Sequence, residues 1–261
     1  MKKRWSLYVV FGVAFYLLFL IIEMPASWFA WGMYKYSRGA IRLDPIAGSL
    51  WHGNGRVVIY YPPTTPHDLG NVQWRINPLW LFTGRIQTIW RTDSPGLSIN
   101  ATLRFSPSTV TLIDTEAALP AQAAVAFYPA ASLISPQGQL QLQVPKLTMD
   151  RNGITGGGDI QWKNAGSSLT SVQPLGDYRL EINAAGKAAN LKLSTLRGVL
   201  ELIGQGTWQV ASGQIQFSGF ANPRDKSEDL RPLLNLLGDD QGGGRRRLVF
   251  NAQLPPLGLA R

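Results

Sequence analysis

His52 and His67 are the only histidines in a chain of 261 residues that has no cysteine. They stand in Trp51-His52-Gly53 and in the turn Pro66-His67-Asp68. Neither has a second histidine four residues away on a helix, which a zinc protease needs, and any metal would have to recruit distant carboxylates. Without cysteine there is no thiolate nucleophile, zinc-thiolate site or disulfide. No serine occupies a G-x-S-x-G elbow or an S-x-x-K run. The glycine-rich stretches Gly48 to Gly53 and Gly153 to Gly158 lack the Lys-Ser/Thr of a phosphate loop and read as strand turns. Asp93, Asp114, Asp150 and Asp177 are spread through turns and polar faces, so no carboxylate pair is set up for acid–base work. The expectation is a protein that binds rather than catalyses, with no cofactor and no metal.

Strands are the elements that would position these residues. Gln139-Leu140-Gln141-Leu142-Gln143-Val144 alternates strictly, as do 71–77, 177–183 and 214–218. Period two buries one face and wets the other, the habit of antiparallel sheets. Further strands are expected over 56–61, 85–91, 97–105, 109–114, 157–162, 189–194, 198–203, 206–210 and 247–251. The 27 glycines and 17 prolines fall between these short runs, and no helix of crossover length alternates with them, so a meander is expected. Gly53-Asn54-Gly55, Leu69-Gly70-Asn71 and Thr109 to Leu112 each find a counterpart about 105 residues later, at Gly156-Gly157-Gly158, Leu175-Gly176-Asp177 and Gln214 to Phe217. Three matches in order suggest a duplicated unit. The expected fold is mainly β: an N-terminal transmembrane helix, then two duplicated, curved antiparallel β-sheet units. A helical turn is expected near 121–127. A short helix is expected near 229–237, with Asp229 as N-cap so that Pro232 falls in the first turn.

Trp5 to Ile22 is uncharged over 18 residues, roughly 27 Å of helix, enough to span a thin hydrocarbon layer. Lys2, Lys3 and Arg4 precede it and keep the N-terminus in the cytoplasm. Trp28, Phe29, Trp31, Tyr34 and Tyr36 follow as an interfacial belt. A cleaved signal peptide fits less well: its apolar core is shorter, and no small-residue cleavage site follows here. The expected boundaries are a cytoplasmic tip at 1–4, an anchor at 5–22, a juxtamembrane segment at 23–40, a first β unit at 41–120, a linker at 121–138 and a second β unit at 139–261. Charged residues make up only 16% of the chain, and its net charge of +9 is scattered apart from Arg245-Arg246-Arg247. No basic stripe is interleaved with stacking aromatics, which argues against a nucleic-acid partner.

Trp51, Trp74, Trp80, Trp90, Trp162 and Trp208 lie in or beside strands. Core filling explains them, and so does an apolar groove for a lipid or partner strand. The motifs Gly48-Ser49-Leu50-Trp51-His52-Gly53, Trp74-Arg75-Ile76-Asn77-Pro78-Leu79, Pro174-Leu175-Gly176-Asp177-Tyr178-Arg179-Leu180 and Gly204-Gln205-Gly206-Thr207-Trp208, behind a single basic-led anchor, resemble the type II secretion system protein N family over nearly the whole chain. The resemblance implies a single-pass inner-membrane protein with a periplasmic C-terminal domain. It also implies a non-enzymatic accessory of the machine that exports folded proteins across the outer membrane. Its neighbours would be the inner-membrane platform proteins and the outer-membrane secretin. Trp51, Gly53, Gly55, Trp74, Gly176 and Tyr178 are the motif residues expected to matter, through turns and strand packing. The rival reading is an anchored periplasmic protein with a lipid-binding β-groove; a cell-wall hydrolase lacks any catalytic cluster.

Overall fold

Alternation gives each strand a wet face and a dry one, and the computed structural model joins these strands edge to edge in one sheet. It describes residues 12, 13, 16, 19, 20, 22–37, 39, 41–59, 67–78, 83–94, 97–127, 129–225 and 227–253. Helix α1 (Ser27–Tyr36) leads into β1 (Ile41–Gly48), β2 (His52–Ile59), β3 (His67–Ile76), β4 (Ile86–Ser94), β5 (Leu97–Phe105) and β6 (Thr109–Pro120). A crossing follows, made of the short helix α2 (Ala124–Phe127) between 3-10 turns at Ala121–Ala123 and Pro129–Ile134. Then come β7 (Pro136–Asp150), β8 (Gly153–Ser167), β9 (Gly176–Gly186), β10 (Ala188–Gly198), β11 (Leu200–Gln209) and β12 (Gln214–Pro223). Helix α3 (Ser227–Leu237) precedes β13 (Arg246–Gln253).

Among the described residues the sheet has 13 strands, each hydrogen-bonded to its sequence neighbours, from β1 at one edge to β13 at the other without closing. All pairings are antiparallel. The two β units expected from the sequence are therefore one continuous sheet. The crossing brings β7 back beside β6, where Thr109↔Asp150 to Pro120↔Gln139 pair along almost the full length of β6. Residues matched at an offset of about 105 lie six strands apart: β2 with β8, β3 with β9, and β6 with β12.

The register aligns the dry faces across the whole sheet. One row of direct partners runs Ile46, Gly55, Val72, Thr92, Ile99, Ala117 and Leu142, from β1 to β7. It continues through Ile160, Leu180, Leu193, Gly204, Gly219 and Leu248 to β13. Thr92 is its only polar side chain, and none is charged. The adjacent row on the other face runs Gln73, Arg91, Asn100, Glu116, Gln143, Asp159 and Glu181 and is polar throughout. A one-residue slip in any strand would invert its contribution.

Several strands depart from expectation for local reasons. β1 was not legible because Asp44-Pro45 interrupts its alternation; the register shifts between Leu43 and Ile46 to accommodate them. A proline is tolerated there because β1 is an edge strand. Pro145 lies inside β7, where the register jumps from Gln143 to Lys146 opposite β8, and Asp114 across from it on β6 adopts φ 43°. The expected break between 198–203 and 206–210 does not occur: Gly204 and Gly206 stay extended in β11. A Cβ on Gly204 would lie 2.5 Å from the Phe217 ring, which takes that space. α3 starts two residues before the expected N-cap Asp229, which leaves Pro232 inside the helix.

Among the described residues many of the buried apolar side chains gather in three clusters, while others, such as Trp51, Leu97, Val144 and Leu191, are buried outside them. Phe29 of α1, with Ala26 just before the helix, sits on Val72, Trp74 and Trp90. α3 seats Leu230, Leu233 and Leu234 on Leu200 and Ala221. The third cluster gathers Ile154, Ala184, Ala189 and Val210. The residues expected to span the membrane lie mostly outside the described residues; Gly12, Val13, Tyr16, Phe19, Leu20 and Ile22 are helical and exposed. Among the described residues no helix is long and apolar enough to cross a membrane.

Candidate functional site

Four of the six motif residues gather at the β1–β4 end. Trp74 is 3% exposed, and its indole Nε1 donates to the Leu50 carbonyl at 3.0 Å. Gly53 is its direct partner on β2. A Cβ on Gly53 would come within 2.2 Å of the Trp74 ring, so the glycine is the floor on which the indole lies. Phe29 of α1 caps the stack, with ring centroids 5.1 Å from Trp74 and 5.2 Å from Trp90. Trp51 is buried, and its carbonyl accepts from the Ile76 amide at 2.7 Å. Gly55 differs: an added Cβ would meet Leu43, Pro45 and Ile46 at 3.4–3.6 Å, ordinary contact. Its motif position is not explained by lack of space.

The other two, Gly176 and Tyr178, lie on β9 and do not touch the first group. The buried Tyr178 hydroxyl donates to the Leu200 carbonyl at 2.9 Å, and its ring sits 6.0 Å from Trp162. Burial, aided by the Asp177 carboxylate, raises the Tyr178 phenol above its ordinary value, so it remains a neutral donor. Gly176 is the partner of Gly198, and a Cβ on it would meet the Arg197 carbonyl at 2.5 Å. Asp177 accepts from the Asn164 amide at 2.7 Å and pairs with Arg197 Nε at 2.5 Å. Burial pushes its carboxyl up, but the Asn164 amide, Arg197 and Lys163 outweigh that and hold it below the usual value. Phe29, Trp162 and the Leu200 carbonyl join these sites through contacts between distant segments, which no local pattern announces.

These groups pack and hydrogen-bond; none pairs a nucleophile with a base. His52 is exposed on the polar face opposite Arg75. There it lines an open depression of about 410 Å³ with Asn54, Gln73, Ile89 and Arg91. Among the described residues no group of three His, Asp or Glu side chains could hold a metal ion.

Residues 39–249 match the family model for type II secretion system (T2SS), protein N. No curated protein and no solved structure compared with the chain matches it.

Proposed function

Since the chain belongs to the type II secretion system protein N family, and so to the accessory parts of that machine, we propose that it acts without chemistry of its own in the export of folded periplasmic proteins across the outer membrane. The observation that carries this reading is the extent of the match, which takes in β1 through β12 and enters β13. The motif residues support it by building packing contacts, with no reacting constellation among them.

In the same reading, 5–22 is a single membrane-spanning anchor with the N-terminus in the cytoplasm. α1 lies in the interface, where Trp28 and Trp31 are exposed, and the sheet stands in the periplasm. The body is a duplicated unit, with β1–β6 as one copy and β7–β12 as the other. Its partners are the inner-membrane platform proteins and the outer-membrane secretin. Deleting the gene in its host should lower release of secreted proteins, and the solubilised chain should retain platform proteins or secretin on an affinity resin. Normal release together with recovery of neither overturns the role. A C-terminal alkaline phosphatase fusion should be active; a silent fusion overturns the topology.

A further inference from the structure

Pairing across β2, β3 and β4 collects donors on the wet face that the sequence keeps far apart. His52 is the direct partner of Arg75, Asn54 of Gln73, and Gln73 of Arg91. Arg75 is paired with Ile89, so the two arginines are diagonal neighbours, with Cβ atoms about 7 Å apart. These five polar residues are exposed, and they line the same open depression of about 410 Å³. Towards β1 its lining is Ala47 and Gly48, so no side chain taller than a methyl group closes that side.

The chemistry of this set points to an anion. Among the described residues no carboxylate lines the depression. Neither Arg75 nor Arg91 has an ion pair or side-chain hydrogen bond there, whereas six other arginines stand against an aspartate or glutamate. On the same strands, Asp68 is held by Arg56, and Asp93 stands a row beyond Arg91, opposite Ser98. Two guanidinium groups at this spacing repel each other, and a bound anion removes the repulsion. The donors also come from three strands. A carboxylate has two oxygens in one plane and is filled by a single guanidinium fork. A phosphate group carries oxygens on several sides, so it accepts from two guanidinium groups at once and from an imidazole or amide besides. The depression lies where the chain enters the sheet: the Gly48 carbonyl accepts from the Ala26 amide, just before α1, at 3.2 Å. A lipid headgroup and a small soluble phosphate are therefore the two sources to separate.

We propose that His52, Arg75 and Arg91, with the amides of Asn54 and Gln73, form a binding site for a phosphate group. Phosphate binding here goes beyond the secretion role and does not rest on it.

Calorimetry on the full chain in neutral-detergent micelles tests this, with inorganic phosphate, glycerol phosphate and dihexanoyl phosphatidic acid titrated at constant ionic strength. Binding should be saturable, and Arg75→Gln or Arg91→Gln should each weaken it about tenfold or more, as expected when a charge-assisted hydrogen bond is lost. Arg151→Gln removes an exposed arginine at the β7–β8 turn and should leave the affinity unchanged. All three side chains are exposed, so the variants should melt with wild type in the absence of phosphate, which checks that they fold. Tighter binding of the phosphatidic acid than of glycerol phosphate, lost in the Arg75→Gln/Arg91→Gln double variant, upholds the site and assigns it to a headgroup. Equal affinities, lost in the same variant, uphold it and assign it to a soluble phosphate. Acetate binding as tightly as inorganic phosphate overturns the proposal in favour of an acidic side chain of a partner protein. No saturable binding of any of the three phosphates overturns it, and so does binding that survives the double substitution.

Discussion

Gly53 and Gly55 share a strand and a motif but not a constraint. Gly53 lies under the Trp74 ring, with 2.2 Å available to a Cβ, whereas Gly55 has 3.4 Å. Trp74 is held by its bond to Leu50 and by Phe29 above it, so it has little freedom to yield. Gly53→Val should therefore lower stability by about 1–3 kcal/mol, the usual range for overpacking. Gly55→Ala should be neutral or stabilise by up to about 1 kcal/mol, because alanine loses less backbone entropy on folding. Thermal unfolding of the two variants, compared side by side, checks both. Asp177 offers a pH test. Its carboxyl is held below the usual value, so the stability it contributes is complete above the unfolded-state pKa and is lost as pH falls through the folded one. Asp177→Asn should melt below wild type at neutral pH, by about 1–3 kcal/mol for a charge-assisted bond lost. The two curves should draw together below about pH 4.

Phe29 shows what an element adds to its residues. It belongs to a run of aromatics that reads as an interfacial belt, yet α1 turns this one inward, and the helix docks through it onto Trp74 and Trp90. Phe29→Ala should cost about 1–3 kcal/mol, less than a fully buried phenylalanine. Tryptophan emission should shift to the red and α1 should become protease-sensitive. In α3, Pro232 is exposed and lies inside the helix, where it has no N–H to donate. Pro232→Ala restores a backbone donor and should raise the melting temperature, by about 1–2 kcal/mol once the greater freedom of the unfolded chain is deducted. The sequence displays strands where alternation is unbroken, as in Gln139 to Val144 and Asp177 to Asn183. It hides them where the backbone departs from the ladder, as at Asp44-Pro45, or where a glycine makes room for a ring, as at Gly204 under Phe217. The motif residues were legible as types. Their partners were not, because Tyr178 meets Leu200 and Trp74 meets Leu50 across 22 and 24 residues of chain.

At the scale of the molecule the important feature is the order of strands. Each pairs with its sequence neighbours, and the buried clusters among the described residues are local to the ends and one long side of the sheet. Such a chain approaches a one-dimensional array, where stability is a sum of nearest-neighbour terms and a defect stays near its origin. Alternation alone could not reveal this, since it sets which face is dry but leaves open whether the halves stack or join. The pairing of β6 with β7 decides it: joined in line, the halves share one interface, and none of the three buried clusters among the described residues draws on strands of both. Leu230 of α3 is fully buried against the sheet, and Leu230→Ala should cost about 2–5 kcal/mol locally. Native-state hydrogen exchange on the full chain should then show faster exchange in β11, β12 and β13, with β2, β3 and β4 keeping wild-type rates, as independent opening units do. Phe29→Ala should produce the mirror image, loosening β2 to β4 and leaving the α3 end protected. If either substitution speeds exchange equally at both ends, the sheet unfolds as one cooperative body.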